Sequence, residues 1–121
     1  MQNDAPSPRA ESEPSGLEFI ETPIFTEGWD RIGLDDEALL VLQTKLLIQP
    51  DAGDVIPKSG GLRKLRVPAK GKGSRGGARV IYYWLRNDSQ ILLLLVYPKN
   101  EKDDLSAREL KMLKQLVRLV Q

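Results

Sequence analysis

The 121-residue chain contains no histidine and no cysteine. Without histidine there is no Ser-His-Asp or Cys-His nucleophilic system, no imidazole metal ligand and no histidine pair to move protons at an RNA phosphate. Without cysteine there is no disulfide and no thiolate chemistry, and the cytoplasm is the default compartment. Aromatic residues are few, with two Trp, three Tyr and two Phe. Most fall in stretches that read as core strands, so an RNA-binding module working by base stacking on exposed rings is poorly supplied. No apolar run approaches the roughly 18 residues of a membrane span. The amino terminus carries acids and prolines instead of a basic and then apolar leader, so export is not indicated.

Acids are also missing, but only from one region. Residues 1–54 hold twelve acids against three bases, whereas residues 55–87 hold nine bases and no acid. The remaining residues hold five acids and six bases, so the net charge of +1 conceals a basic centre. Nine like charges in one segment repel one another unless a polyanion is meant to lie there. The stretch from Lys58 to Arg86 is therefore read as the part that grips nucleic acid.

Length and composition allow one domain. Residues 1–16 (MQNDAPSPRAESEPSG) have no apolar periodicity and read as a disordered tail, leaving 17–121 as the folded domain. Leu17–Ile20 reads as a short strand ended by Pro23, and Ile24–Ile32 as a short helix closed by Gly33. Asp35, Asp36 and Glu37 suit a helix start. Leu39, Leu42 and Leu46 follow at helical spacing, and Pro50 ends that helix. Leu62–Val67 alternates, so Leu65 and Val67 face a core while Lys64 and Arg66 face away. Ala78–Leu85 and Ile91–Tyr97 read as central strands. The short link between them makes the pair antiparallel. Ser106 and Glu109 form a capping box for a last helix. The expected fold is α+β, in the order β-α-α-β-β-β-α, with an antiparallel-dominated sheet and helices packed on one face.

Gly71, Gly73 and Gly76 match a dinucleotide fingerprint by letter, but they lead into a strand where that motif needs a helix. They are better read as a loop whose glycines let backbone approach phosphates. Asp103 and Asp104 are read as helix-start acids and not as a metal pair. No metal and no cofactor is expected. The remaining chemistry is cationic. Lys64, Arg66, Arg79 and Lys99 would converge on one rim of the sheet if their strands are neighbours, with Tyr97 beside Lys99. Such a cluster can cleave RNA, because RNA carries its own nucleophile in the 2′-OH. The protein must orient that group, stabilise the extra negative charge on the phosphorane and manage two protons. Arginine suits the charge role, and a lysine among cations can serve as acid or base.

Three separated segments carry a family resemblance: Gly60-Gly61-Leu62-Arg63-Lys64-Leu65-Arg66-Val67, then Gly71 through Tyr83, then Tyr97-Pro98-Lys99-Asn100-Glu101. They resemble the RelE/ParE superfamily, toxins of type II toxin–antitoxin systems, most nearly the HigB branch. The resemblance implies the small RelE-like fold and a ribosome-dependent endoribonuclease (an mRNA interferase). That enzyme would be metal-independent and leave 2′,3′-cyclic phosphate and 5′-hydroxyl ends. It implies as partners the ribosome, mRNA and a cognate antitoxin of the helix-turn-helix DNA-binding kind. Carried over by position, it makes Lys64, Arg66, Arg79 and Lys99 catalytic. Arg63, Lys70, Lys72, Arg75, Tyr97 and Lys102 are expected to bind RNA. Asn100 and Ser106 stand where some relatives carry an arginine and a tyrosine. The alternative on the same fold is a ParE-like DNA gyrase inhibitor without nuclease activity.

Overall fold

A computed structural model describes residues 16–68, 77–87 and 89–120. The expected tail, apart from Gly16, lies outside the described residues, as do Lys70, Lys72 and Arg75 of the glycine-rich loop. The chain runs β1 (Glu18–Glu21), α1 (Pro23–Ile32), α2 (Asp36–Ile48), β2 (Asp54–Val55), β3 (Arg63–Val67), β4 (Ala78–Leu85), β5 (Gln90–Pro98) and α3 (Ala107–Val120). The α+β class and the antiparallel-dominated sheet match the expectation, with one added two-residue strand, β2, in the turn-rich connection after Pro50.

Local chemistry sets the helix ends. Thr22 caps α1 by accepting the Phe25 N–H at 3.0 Å, with Pro23 in the first turn, where it needs no partner for a missing N–H. Gly33 ends α1 in the left-handed conformation. Asp35 caps α2 through the Ala38 N–H at 2.8 Å. The Ser106–Glu109 box forms in both directions, at 2.9 and 3.1 Å.

The sheet order is β1-β5-β4-β3-β2. β1 runs parallel to β5, and the other pairs are antiparallel. The helices do not share one face, which corrects the expectation. Phe25 and Trp29 of α1 and Leu42 and Leu46 of α2 pack with Leu65, Val67, Val80, Tyr82, Ile91, Leu93 and Val96. Leu113 and Val117 of α3 pack instead with Ile81, Leu85, Leu92, Leu94 and Tyr97. The physical reason is the strand period of two. β4 and β5 are apolar on both sides, so each face needs its own cover.

One irregularity matters for the site. Ile81 pairs with Leu95 but Tyr82 pairs with Leu93, so Leu94 is an extra residue in β5. Its carbonyl accepts the Thr22 hydroxyl at 2.8 Å, which fastens the bulge to the start of α1. An extra residue reverses the alternation beyond it. Ile91 and Leu93 face α1 and α2, yet beyond the bulge Val96 takes that side and Tyr97 turns toward α3.

Candidate active site

Strands β3, β4 and β5 lie side by side, and their register decides which side chains meet. Arg66 stands opposite Arg79, and Arg79 opposite Tyr97; Lys64 stands opposite Ile81. Lys64, Arg66, Arg79 and Tyr97 therefore share the sheet face that carries α3. Lys99 lies exposed in the turn after β5. Its backbone N–H donates to the Gly77 carbonyl at 2.9 Å, which holds that turn against the start of Arg79's strand.

The four cations are not equivalent. Arg66 and Lys99 are exposed. Arg79 is not the rim cation expected from sequence: it is 8% exposed. Among the described residues, its Nη1 is the buried side-chain nitrogen that finds no hydrogen-bond partner. An ion removed from water without full pairing is costly, on the order of several kcal/mol, so a retained one demands an explanation. Its strand neighbours Ala78, Val80, Ile81 and Tyr82 are all buried, which fixes its backbone rigidly.

Lys64 is engaged by the segment that joins β5 to α3. Its Nζ donates to the Asp104 carboxylate at 2.8 Å and to the Asp103 carbonyl at 3.3 Å. The Tyr97 hydroxyl donates to the same Asp103 carbonyl at 3.1 Å. The hydrogen bond from Lys64 and its positive charge hold the Asp104 carboxyl below the usual range. Burial pushes the Tyr97 hydroxyl up to about 12, with Asp104 adding to the rise and Arg79 opposing it. Tyr97 is therefore a protonated donor at neutral pH. Lys102 lies over its ring, 4.9 Å from the centroid, and pairs with Glu109. Burial works to raise the Glu109 carboxyl, but Lys102 and Ser106 together hold it below its ordinary range.

Several expected RNA contacts take other places. Tyr97 is 3% exposed with its hydroxyl engaged, so it fixes the Asp103 segment and has no free face for RNA. Lys102 is occupied by Glu109 and the Tyr97 ring. Arg63 alternates away from Lys64, and its guanidinium donates to the carbonyls of Gly53 at 2.7 Å and Asp51 at 3.3 Å. Ser106 is committed to the cap. The functional reading of the sequence missed Asp104, because nothing local links it to a lysine 40 positions earlier. The signal was a run of acids, Glu101, Asp103 and Asp104, shortly after the acid-free centre. Among the described residues no three metal-ligating side chains converge.

A small sheet that buries an arginine among further cations, with no histidine, defines a class that comparison with known proteins identifies. The family described as the RelE toxin of the RelE / RelB toxin-antitoxin system matches residues 50–121, more than half the chain. The chain belongs to this family: it is the toxin of a toxin–antitoxin system, and membership implies an antitoxin partner. Every cation of the cluster falls inside the matched stretch. Among solved structures, the fold is similar to the Escherichia coli toxin RelE in the free state, there an arginine-to-alanine double mutant. The TM-score is 0.50 at 13% identity, covering 70% of this chain and 85% of that one. The likeness speaks for the fold.

Proposed function

We propose that this toxin is a ribosome-dependent mRNA endoribonuclease of the cytoplasm, nearest to the HigB branch. The observation that carries the reading is Arg79, a buried guanidinium on a rigid central strand with Nη1 unpartnered and Lys64 and Arg66 on the adjacent strand. A phosphate brought to this face meets a preorganised charge, which is the form of transition-state stabilisation that needs least rearrangement. The RNA 2′-OH attacks the adjacent phosphorus, and the P–O5′ bond breaks. The products are a 2′,3′-cyclic phosphate and a 5′-hydroxyl. In this scheme Arg79 holds the phosphorane oxygens, Arg66 and Lys99 bind flanking phosphates, and Lys64 joins them once Asp104 lets go. The chain needs no metal for these steps. Without a histidine pair it relies on the ribosome to orient the message.

The test is expression in a growing bacterium followed by mapping of mRNA 5′ ends. In-frame cuts confined to translated messages are expected. DNA breaks without RNA cuts would instead favour the gyrase-inhibitor reading, on which the same fold binds a protein and cleaves nothing.

A further inference from the structure

The other end of β4 carries a second arrangement of cations, this time with aromatic rings. β3 pairs with β4 only as far as Arg63 opposite Tyr82, so the last residues of β4 extend past its neighbour. A cleft of about 630 Å³ opens there, within the size range of small-ligand sites. Among the described residues its walls include Gly61, Arg63, Tyr83, Trp84 and Arg86. Tyr83 and Trp84 are half-buried, so each presents part of its ring, whereas Phe25, Trp29, Tyr82 and Tyr97 are closed into the cores.

The cations are held in different ways. Arg63 is anchored by the Gly53 and Asp51 carbonyls, which fixes its charge at the wall. Arg86 is exposed and its guanidinium lies over the Trp84 ring, 4.8 Å from the centroid, making a cation–π pair. Gly61 has a φ of 108°, which side-chain-bearing residues rarely adopt. A Cβ there would come within 3.1 Å of the Tyr83 ring, so glycine keeps this wall open. Ring faces and guanidinium planes stack nucleobases, and arginines bind phosphate.

We propose that this cleft is a nucleotide-binding subsite for single-stranded RNA, distinct from the catalytic cluster. The base lies against the Trp84–Arg86 pair, and a backbone phosphate faces Arg63, which shares the Trp84 face of the sheet; Tyr83 lines the cleft from the opposite face. Trp84 is five residues along β4 from Arg79 and packs on the opposite face of the sheet, so the cleft is separate from the catalytic cluster. The proposal rests on the RNA-cleaving reading above.

The test titrates a fluorescently labelled single strand of about ten nucleotides into the full chain carrying Arg79→Ala, which prevents cutting. In that background Trp84→Ala and Arg86→Ala should each weaken binding about tenfold, the loss of one stacking platform. Arg86→Ala should keep the parent's melting temperature, whereas Trp84→Ala should lower it because Trp84 packs on the core. If Trp84→Ala fails to fold, the exposed Arg86→Ala decides alone. Unchanged RNA affinity in the folded variants overturns the proposal. Variants that keep RNA affinity but escape neutralisation by the antitoxin overturn it as well, since the cleft would then be a protein surface. In-frame cutting by the wild-type chain is scored separately: its absence tells against the nuclease reading, and unchanged affinity tells against this site.

Discussion

Arg79 and Tyr82 are three residues apart on β4, both are buried, and both carry polar atoms out of water. The two groups are satisfied differently. The Tyr82 hydroxyl accepts the Gly53 N–H at 2.8 Å and donates to the Pro50 carbonyl at 2.7 Å, so its polarity is fully used. Gly53 has to be glycine here, since a Cβ would lie 2.8 Å from the Tyr82 ring. Tyr82 thus locks the Pro50–Gly53 turn beneath the α1 and α2 face. Arg79, on the α3 face, leaves Nη1 without a partner among the described residues. A satisfied buried group specifies structure, whereas an unsatisfied one marks a place where the fold tolerates cost for another end.

The contrast breaks first at Tyr82. Tyr82→Ala should lose about 3–5 kcal/mol of stability in urea unfolding, from the cavity and the unpaired turn. Arg79→Ala should do the reverse. Its stability should be unchanged or slightly higher, because a poorly paired buried ion disappears. Its cleavage on translated messages should fall by about 2–4 kcal/mol of transition-state stabilisation. Lysine should be a poor substitute, lacking the bidentate fork. A fully toxic Arg79→Ala chain would remove the site assignment.

Smaller effects belong to the loop that binds Lys64. Tyr97→Phe should cost about 1 kcal/mol, one hydrogen bond to the Asp103 carbonyl, and should loosen the Lys64 contact with it. The Tyr97 value is raised from 10.0 to about 12. Its contribution to stability is therefore complete below about pH 10 and lost as pH rises toward about 12, which alkaline unfolding of wild type against Tyr97→Phe measures. Asp104 has the opposite sign. Its depressed pKa makes the Lys64 contact present above the ordinary carboxylate range and lost as pH falls through the lowered value. Asp104→Asn should free Lys64 at neutral pH and tighten RNA binding about threefold, a modest gain because the pair is exposed. The smallest effect concerns residues 1–16, which we propose lie outside the folded domain. A chain starting at Leu17 should keep its melting temperature, and a drop of several degrees would show that this segment packs on the sheet.

Much of this was legible because it is local. The alternation of Leu65 and Val67 with Lys64 and Arg66, the Ser106–Glu109 box, the Gly33 stop and the acid-free centre each depend on residues a few positions apart. Strand periodicity and capping chemistry act at that range. The family resemblance drew on the same local segments. Other features depend on which strand lies beside which, and no local pattern encodes that. The parallel pairing of β1 with β5 sets a strand at residue 18 beside residue 90. The two apolar faces of β4 and β5 gave no sign of which helix each would take, so α3 was expected on the wrong side. The extra residue Leu94 reverses the alternation and turns Tyr97 toward Arg79. The burial of Arg79 and its contrast with Tyr82 follow only from that stacking of strands. Asp104 reaches Lys64 because the sheet brings the end of β5 back beside β3. Short-range patterns were enough to specify the elements, their caps and the charge of the site. Which cation is buried, which is held by a carboxylate and which is free came from the assembled sheet, because register and packing across strands set them.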